Sequence, residues 1–452
     1  MMMEIKLKKF IYGNVHIAPL AFFRIAFGAV LFISSIRFIA HGWIKDFYIM
    51  PRFHFPFYGF EWIRALPPVA MYALYGCMVL GAFMIAAGLY YRTGVILFLL
   101  SFVYAEMIDK TYYLNHYYLV SVLVLLLALV PANRYFSIDV LRKPGLKRTH
   151  VPAWTINIFK WQLAIIYIYA GLSKMNADWL IHAMPLKIWL PANQFTPVIG
   201  RWLALPVTAV LFSWCGMLFD LSIVFLLLNR RTRFFGYILV IVFHLLTAVI
   251  FQIGMFPYIM LAATTIFFSE HFHQRMLDSL SALWPSLRRS DIPRVYVSPA
   301  GYKHAGIFFF SMYFFLQLLA PIRFLLYPGK LLWTEEGYRF SWRVMLMEKG
   351  GTSFFHIVEP ATGRRIEVNN RDFLTAYQER MMETQPDMML QYAKILRCEY
   401  EKKGIQQAGV QVESYVTLNG SGSRLYIDSS VNLAVQKETL FGHKKWILPY
   451  QP

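Results

Sequence analysis

The sequence predicts a polytopic α-helical membrane protein followed by a small extracytoplasmic α+β domain. Three observations carry this. Hydrophobic residues make up 58% of the 452-residue chain and charged residues 15%, too apolar for a string of water-soluble domains. Apolar stretches close to the roughly 20 residues that cross a 30 Å hydrocarbon core recur before Tyr327. Of the net charge of +19, +17 belongs to the first 326 residues, where basic residues set topology.

About nine candidate spans follow one another: Ile17–Ala40, Val69–Tyr91, Thr93–Ile108, Asn115–Val130, Trp154–Leu172, Val207–Leu228, Phe234–Phe251, Met255–Phe268 and Ala305–Leu326. The third, fourth and eighth are short. Lys6, Lys8 and Lys9 precede an apolar stretch too long for a cleaved signal and without a small-residue cleavage site, so the start reads as an uncleaved signal anchor. With the N-terminus cytoplasmic, the inward segments hold 17 Lys and Arg against 7 outward. The positive-inside rule then puts the part after the ninth span outside an inner or plasma membrane. Trp179–Leu205 is apolar but broken by Pro185, Pro191, Pro197 and Arg201, which suits an interfacial or re-entrant element.

Residues 1–326 are thus assigned to a transmembrane domain and 327–452 to a soluble one. In the latter, Ser353–Val358 and Arg365–Val368 flank Pro360-Ala361-Thr362-Gly363 as a β-hairpin. A helix starts near Pro386 and stops at Gly404, burying Met389, Ala393, Leu396 and Tyr400. Val410–Leu418 and Leu425–Ile427 alternate as strands. Cys77, Cys215 and Cys398 are scattered, with no spacing for a disulfide framework, zinc site or redox pair. The basic surplus is explained by topology and gives no reason to invoke nucleic acid.

Polar residues at membrane depth are costly, and three groups stand out. They are Asp109-Lys110-Thr111-Tyr112-Tyr113-Leu114-Asn115-His116, Gly171 to Trp179 with Lys174, Asn176 and Asp178, and His244 with Gln252-Ile253-Gly254-Met255-Phe256-Pro257. All but His244 fall near one predicted face, the outer one. Taken singly, Lys174 reads more readily as a lysine snorkelling to the interface and His116 as a hydrogen-bonded packing residue. Asp109 and Lys110 read as an ion pair, Tyr112 and Tyr113 as interfacial anchors, and Arg24 and Asp220 as partners inside the bundle. His271-Phe272-His273 has no third ligand nearby, so no metal site is expected.

These groups resemble the vitamin K-dependent gamma-glutamyl carboxylase family, whose membrane part is the horizontally transferred transmembrane (HTTM) domain, in a bacterial-type form. The likeness runs through Asp109-Lys110-Thr111, Asn115-His116, Lys174 with Ala177-Asp178-Trp179, Phe219-Asp220-Leu221-Ser222, Phe243-His244 and Ile253-Gly254-Met255-Phe256. Glu335-Glu336-Gly337-Tyr338-Arg339-Phe340-Ser341-Trp342 continues it into the soluble part, so that it covers about Pro19 to Val431 in order.

The resemblance implies a carboxylase that also forms vitamin K epoxide. Reduced vitamin K, a menaquinol-type hydroquinone, reacts with O2 to give a base that takes the γ-proton of a glutamate side chain. CO2 then adds to the carbanion, and the quinone leaves as its epoxide, with no metal. Lys174 matches the base that deprotonates the hydroquinone, for which it must be neutral, a form that apolar surroundings favour. His116 matches the histidine linked to carboxylation. Asn115 is expected on the quinone oxygens, Asp109 as a group orienting Lys110 or His116, and His244, Met255, Tyr338 and Trp342 as lining. The implied partners are a glutamate-containing peptide or protein and membrane lipid.

The sequence departs from the animal enzymes at Ser173, where they carry a second lysine, and at Lys330, where a histidine is expected. It stops short of their long C-terminal extension and lacks a counterpart of their disulfide, which makes propeptide recognition and processive carboxylation the weakest parts of what the resemblance implies. Two other readings use the same residues: a hydroquinone epoxidase with no protein acceptor or a different one, and a non-enzymatic quinone-binding or transport protein.

Overall fold

The computed structural model describes residues 13–251, 253–282, 294–296, 302–439 and 441–451. Lys6, Lys8 and Lys9, Gln252 and part of the basic segment between Glu270 and His304 lie outside the described residues. The first part of the chain is a bundle of helices: α1 (Ala18–Ala40), α2 (Pro68–Ala87), α3 (Tyr91–Ile108), α4 (Asn115–Leu129), α5 (Trp154–Ser173), α6 (Pro206–Leu228), α7 (Arg233–Phe251), α8 (Phe256–Thr264), α9 (Glu270–Ser281) and α10 (Tyr302–Leu319). A small antiparallel pair, β1 (Asn14–His16) and β2 (His150–Pro152), joins the entry of α1 to that of α5.

Among the described residues, six helices are long and apolar enough to cross a membrane: α1, α2, α3, α6, α7 and Phe308–Leu326. Asn115–Leu129 and Phe256–Phe267 are apolar but shorter. Helices therefore stand at all nine predicted stretches, while six have the length and hydropathy of a span. The helix that falls short for a different reason is α5, which carries Asn157, Lys160 and Gln162 in its first half. Gln162 is fully buried, accepts from Tyr313 Oη at 2.6 Å and donates to Gln317 at 3.3 Å. This is a largely buried helix whose Gln162 is met by α10 instead of facing lipid.

The α1–α2 crossing is tight because Gly28 has no side chain. A Cβ there would come within 2.7 Å of Ala86 backbone, the close approach that small residues allow between membrane helices. Four residues earlier on α1, Arg24 is buried but is not paired with Asp220. Its guanidinium donates to the carbonyls of Ile85 (2.9 Å), Ala86 (2.6 Å), Ala132 (3.2 Å) and Phe136 (2.5 Å). The fixed fork of an arginine suits this use, because helix and turn ends leave carbonyls unmet.

The soluble part holds a four-stranded antiparallel sheet in the order β4 (Arg365–Val368), β3 (Lys349–Val358), β5 (Gly409–Leu418), β6 (Arg424–Leu425). Helices α11 (Ala376–Met382) and α12 (Pro386–Lys402) cover it. Met389, Ala393 and Leu396 of α12 are fully buried against Phe355, Ile357, Val410 and Val412, and Tyr400 is partly buried. The segment predicted as interfacial folds into short helices at Ala177–Leu180, Leu186–Ala192 and Gly200–Leu203. Its Trp179, Ala183, Leu186, Leu190 and Leu203 share one apolar core with the sheet, so the prolines break a would-be span into a platform between bundle and domain.

Candidate active site

Lys174 caps α5, and its Nζ lies 2.7 Å from Asp220 Oδ2 of α6, with both side chains 7% exposed. The helices can approach this closely because Gly171, one turn before Lys174, faces Leu221; a Cβ there would come within 2.7 Å of the leucine side chain. Lys174 also donates to the Ala170 carbonyl at 3.3 Å and sits 5.4 Å from the Trp179 ring. Neighbouring Ser173 turns back to its own helix, donating to the Ala170 carbonyl at 2.8 Å.

Two turns back along the same face of α5, Tyr167 is buried and among the described residues its hydroxyl has no hydrogen-bond partner, at the i, i+7 spacing that stacks side chains on one side of a helix. Its ring meets Phe219 (5.9 Å) and His244 (6.3 Å). His244 is 1% exposed, its Nδ1 is 2.9 Å from the Val240 carbonyl, and its ring lies 5.8 Å from Phe256. Phe256 in turn lies 5.9 Å from the His116 ring at the start of α4. Gly254, at φ +64°, brings the chain past His116: a Cβ there would sit 4.0 Å from Nε2. Lys174, Asp220, His244 and His116 are thus strung along one aromatic seam through Phe219, Tyr167 and Phe256, at the end of the bundle that carries the soluble domain.

The remaining expected site residues lie around this seam. Met255 lines a separate small cavity of about 30 Å³ with Glu106 and Tyr117. Asn115 is tied to the loop before β3, donating to the Arg343 carbonyl at 2.7 Å and accepting from Tyr113 Oη at 3.0 Å. Trp342 is 1% exposed, stacks on Tyr118 at 4.7 Å, and among the described residues its indole N–H has no partner. Tyr338 packs against the soluble domain's core. Its phenol is pushed up by burial and by Glu335, although Arg343 opposes the shift.

Asp109 does not touch Lys110 or His116 with its carboxylate. It accepts from the Thr111 amide (2.9 Å) and from Gln378 of α11 (3.0 Å), and burial pushes it up to about 6. Lys110 instead reaches Asp387 of α12 at 2.8 Å with its own side chain 1% exposed, and Arg339 meets the same carboxylate at 2.6 Å. Asp178 pairs with Lys330 at 2.7 Å, joining the short platform helix to the chain that enters the soluble domain. The segment Asp109–His116 is therefore a seam between bundle and domain, with its charges spent on holding the two together.

The loop that completes this seam has left-handed backbone at four non-glycine residues: Glu335, Phe340, Trp342 and Met345, with φ of 57–59°. Such conformations cost of order 1–3 kcal/mol each for bulky residues. Contacts hold them: the Phe340 amide donates to Tyr113 Oη at 2.8 Å, and Ser341 donates to the Tyr338 carbonyl. The residues that sequence reasoning left out of the site are Asp220, Tyr167, Phe219 and Phe256. Asp220 had the visible signal of a lone carboxylate inside an apolar span, and Phe219 and Phe256 stood within the motifs that carried the resemblance, whereas Tyr167 had no signal among 79 aromatic residues.

Among the described residues the buried Tyr167 hydroxyl has no hydrogen-bond partner and stands among the Phe219 and His244 rings, on the helix whose end carries the Lys174–Asp220 pair. That set suits a flat ring bearing oxygen atoms. No solved structure matches the chain. The family model of the HTTM domain matches residues 12–272, and that of the vitamin K-dependent gamma-carboxylase lumenal domain matches residues 302–452. Both halves of the architecture are thereby accounted for, and the chain belongs to the vitamin K-dependent gamma-carboxylase family.

Proposed function

We propose that this protein is a membrane-embedded carboxylase that couples oxygenation of reduced vitamin K, to the epoxide, to γ-carboxylation of glutamate with CO2. The observation that carries the reading is the buried Lys174–Asp220 pair at the head of an aromatic seam holding His244 and His116. When bound, the hydroquinone supplies, with O2, the strong base that no side chain can be.

Lys174 Nζ donates to Asp220 Oδ2 at 2.7 Å, with both side chains buried. When the shared proton rests on Asp220, Lys174 Nζ is neutral and able to take a proton from a hydroquinone oxygen. Tyr167 Oη, without a partner of its own among the described residues, is free to donate to an oxygen of the same ring. His116 stands across Phe256 from His244 and supports the carboxylation half, where it stabilises charge on the carbanion or positions CO2. Burial of all these groups excludes water that would quench either the base or the carbanion. Asn115, Asp109, Tyr338 and Trp342 then act through the bundle–domain seam, holding α4 and its His116 in place.

The test uses purified protein in nanodiscs given reduced vitamin K, O2, ¹⁴C-bicarbonate and a short glutamate-containing peptide. His116→Ala is expected to lose peptide-bound label at least tenfold more than epoxide. Equal loss of both products would remove its separate role, and epoxide without label in the wild type would assign an epoxidase or another acceptor.

A further inference from the structure

Glu106 lies inside α3, three residues before Asp109, and among the described residues it makes no hydrogen bond and no ion pair. Glu106 is half-buried, and the neighbouring carboxylates are committed: Asp220 to Lys174, Asp109 to Thr111 and Gln378, Asp387 to Lys110 and Arg339. Glu106 faces a cavity of about 30 Å³ between α1, α2, α3 and α4, lined also by Ser34, Ser35, Tyr75, Tyr117 and Met255. A water needs roughly 10–15 Å³ of such space and two or more polar partners. Ser35 and Tyr75 have given their hydroxyl protons to the Leu31 carbonyl and to Tyr48. The Glu106 carboxylate and the hydroxyls of Ser34 and Tyr117 remain to hold water.

The cavity shares walls with the seam. The Tyr117 ring is 4.6 Å from the His116 ring, and Met255 immediately precedes Phe256, which packs on His116. The titratable groups interacting with Glu106 are the phenols of Tyr48, Tyr75 and Tyr117, with Arg37 of α1 acting on Tyr117. No cation is paired with Glu106 itself.

The reaction's own balance supplies a use for such a group. One hydroquinone, one O2, one CO2 and one glutamate C–H give one epoxide, one water and one new carboxylate. The four electrons that take the hydroquinone to the epoxide reduce O2, one oxygen going to each product, and C–C bond formation is redox-neutral. Of the three hydrogens that enter, water carries off two, and one proton is left at every turnover. We propose that Glu106, through water in its cavity, is a relay carboxyl: it releases its own proton to water and is reprotonated from the His116 end of the site. The proposal rests on the carboxylase reading.

The test compares wild type, Glu106→Gln and Glu106→Asp in nanodiscs. Infrared titration is expected to show a protonated-carboxyl C=O band that Glu106→Gln removes and Asp220→Asn leaves in place, with no substrate present. In rapid-mixing assays Glu106→Gln is expected to complete a first turnover at the wild-type rate and then slow at least tenfold, with KM for the hydroquinone unchanged and Glu106→Asp restoring most of the loss. A Glu106→Gln enzyme with wild-type steady-state turnover, or a band that survives the substitution, overturns the proposal. A wild type that forms neither epoxide nor labelled peptide overturns the carboxylase reading, and the proposal with it.

Discussion

Lys174 illustrates how far single residues could be read and where that reading stops. A lysine and a histidine at predicted membrane depth are visible in any hydropathy trace, because each costs too much to be there idly. Their partners are not visible: Asp220 is 46 residues from Lys174 and reaches it only because Gly171 lets α5 and α6 close up. The same limit explains Arg24, whose partners are four backbone carbonyls, groups that every residue carries. Two consequences follow at this scale. Removing one member of the buried pair leaves an uncompensated charge, so Asp220→Leu is expected to cost roughly 3–5 kcal/mol, whereas Lys174→Met with Asp220→Leu recovers most of it; thermal unfolding in detergent measures both. Arg24→Met should be similarly damaging, because several buried carbonyls lose their donor together, and a melting temperature within a degree of wild type would contradict that account.

At the scale of elements, the long periodic segments were legible and the seams between them were not. The α12 helix could be read from its apolar spacing, and the β3–β4 hairpin from its turn residues. Helix α11 was missed although Thr375 and Gln378 form a capping box, because seven residues are too few to show a period. The grip of the soluble domain on Asp109–His116 depends on side chains that reach across more than 200 residues, Lys110 to the Asp387 carboxylate and Asn115 to the Arg343 carbonyl. Asp387 would be pushed up by burial, but Arg339 and Lys110 outweigh this and hold it well below the usual carboxylate range. A depressed carboxyl gives stability that is present above its unfolded value of about 3.9 and lost as pH falls below it. Docking of the domain is therefore expected to loosen below about pH 4. Asp387→Asn should weaken it at neutral pH by roughly 3–5 kcal/mol. Hydrogen exchange across Pro386–Lys402 reads both effects, and a variant with unchanged protection would separate this network from docking.

For the whole molecule, composition and charge were enough to foresee a helical membrane part followed by a small sheet domain, since both follow from how much apolar surface each segment must bury. The number of crossings was less legible, because α5 is a largely buried helix with polar residues and α4 and α8 are short. We propose the topology that the charge distribution favours, with the N-terminus cytoplasmic and the soluble domain outside. Cys398 is exposed on that domain, so with Cys77 and Cys215 replaced by serine an impermeant maleimide should label right-side-out vesicles without permeabilisation. Labelling only after permeabilisation would reverse the orientation.

The central claim is that Lys174 is the base that starts hydroquinone oxygenation and that carboxylation depends on it. It is tested most directly by following epoxide and peptide-bound ¹⁴C in the same tube for wild type and Lys174→Ala. The account predicts both products from the wild type and neither from the variant. Undiminished epoxide formation by Lys174→Ala would contradict it.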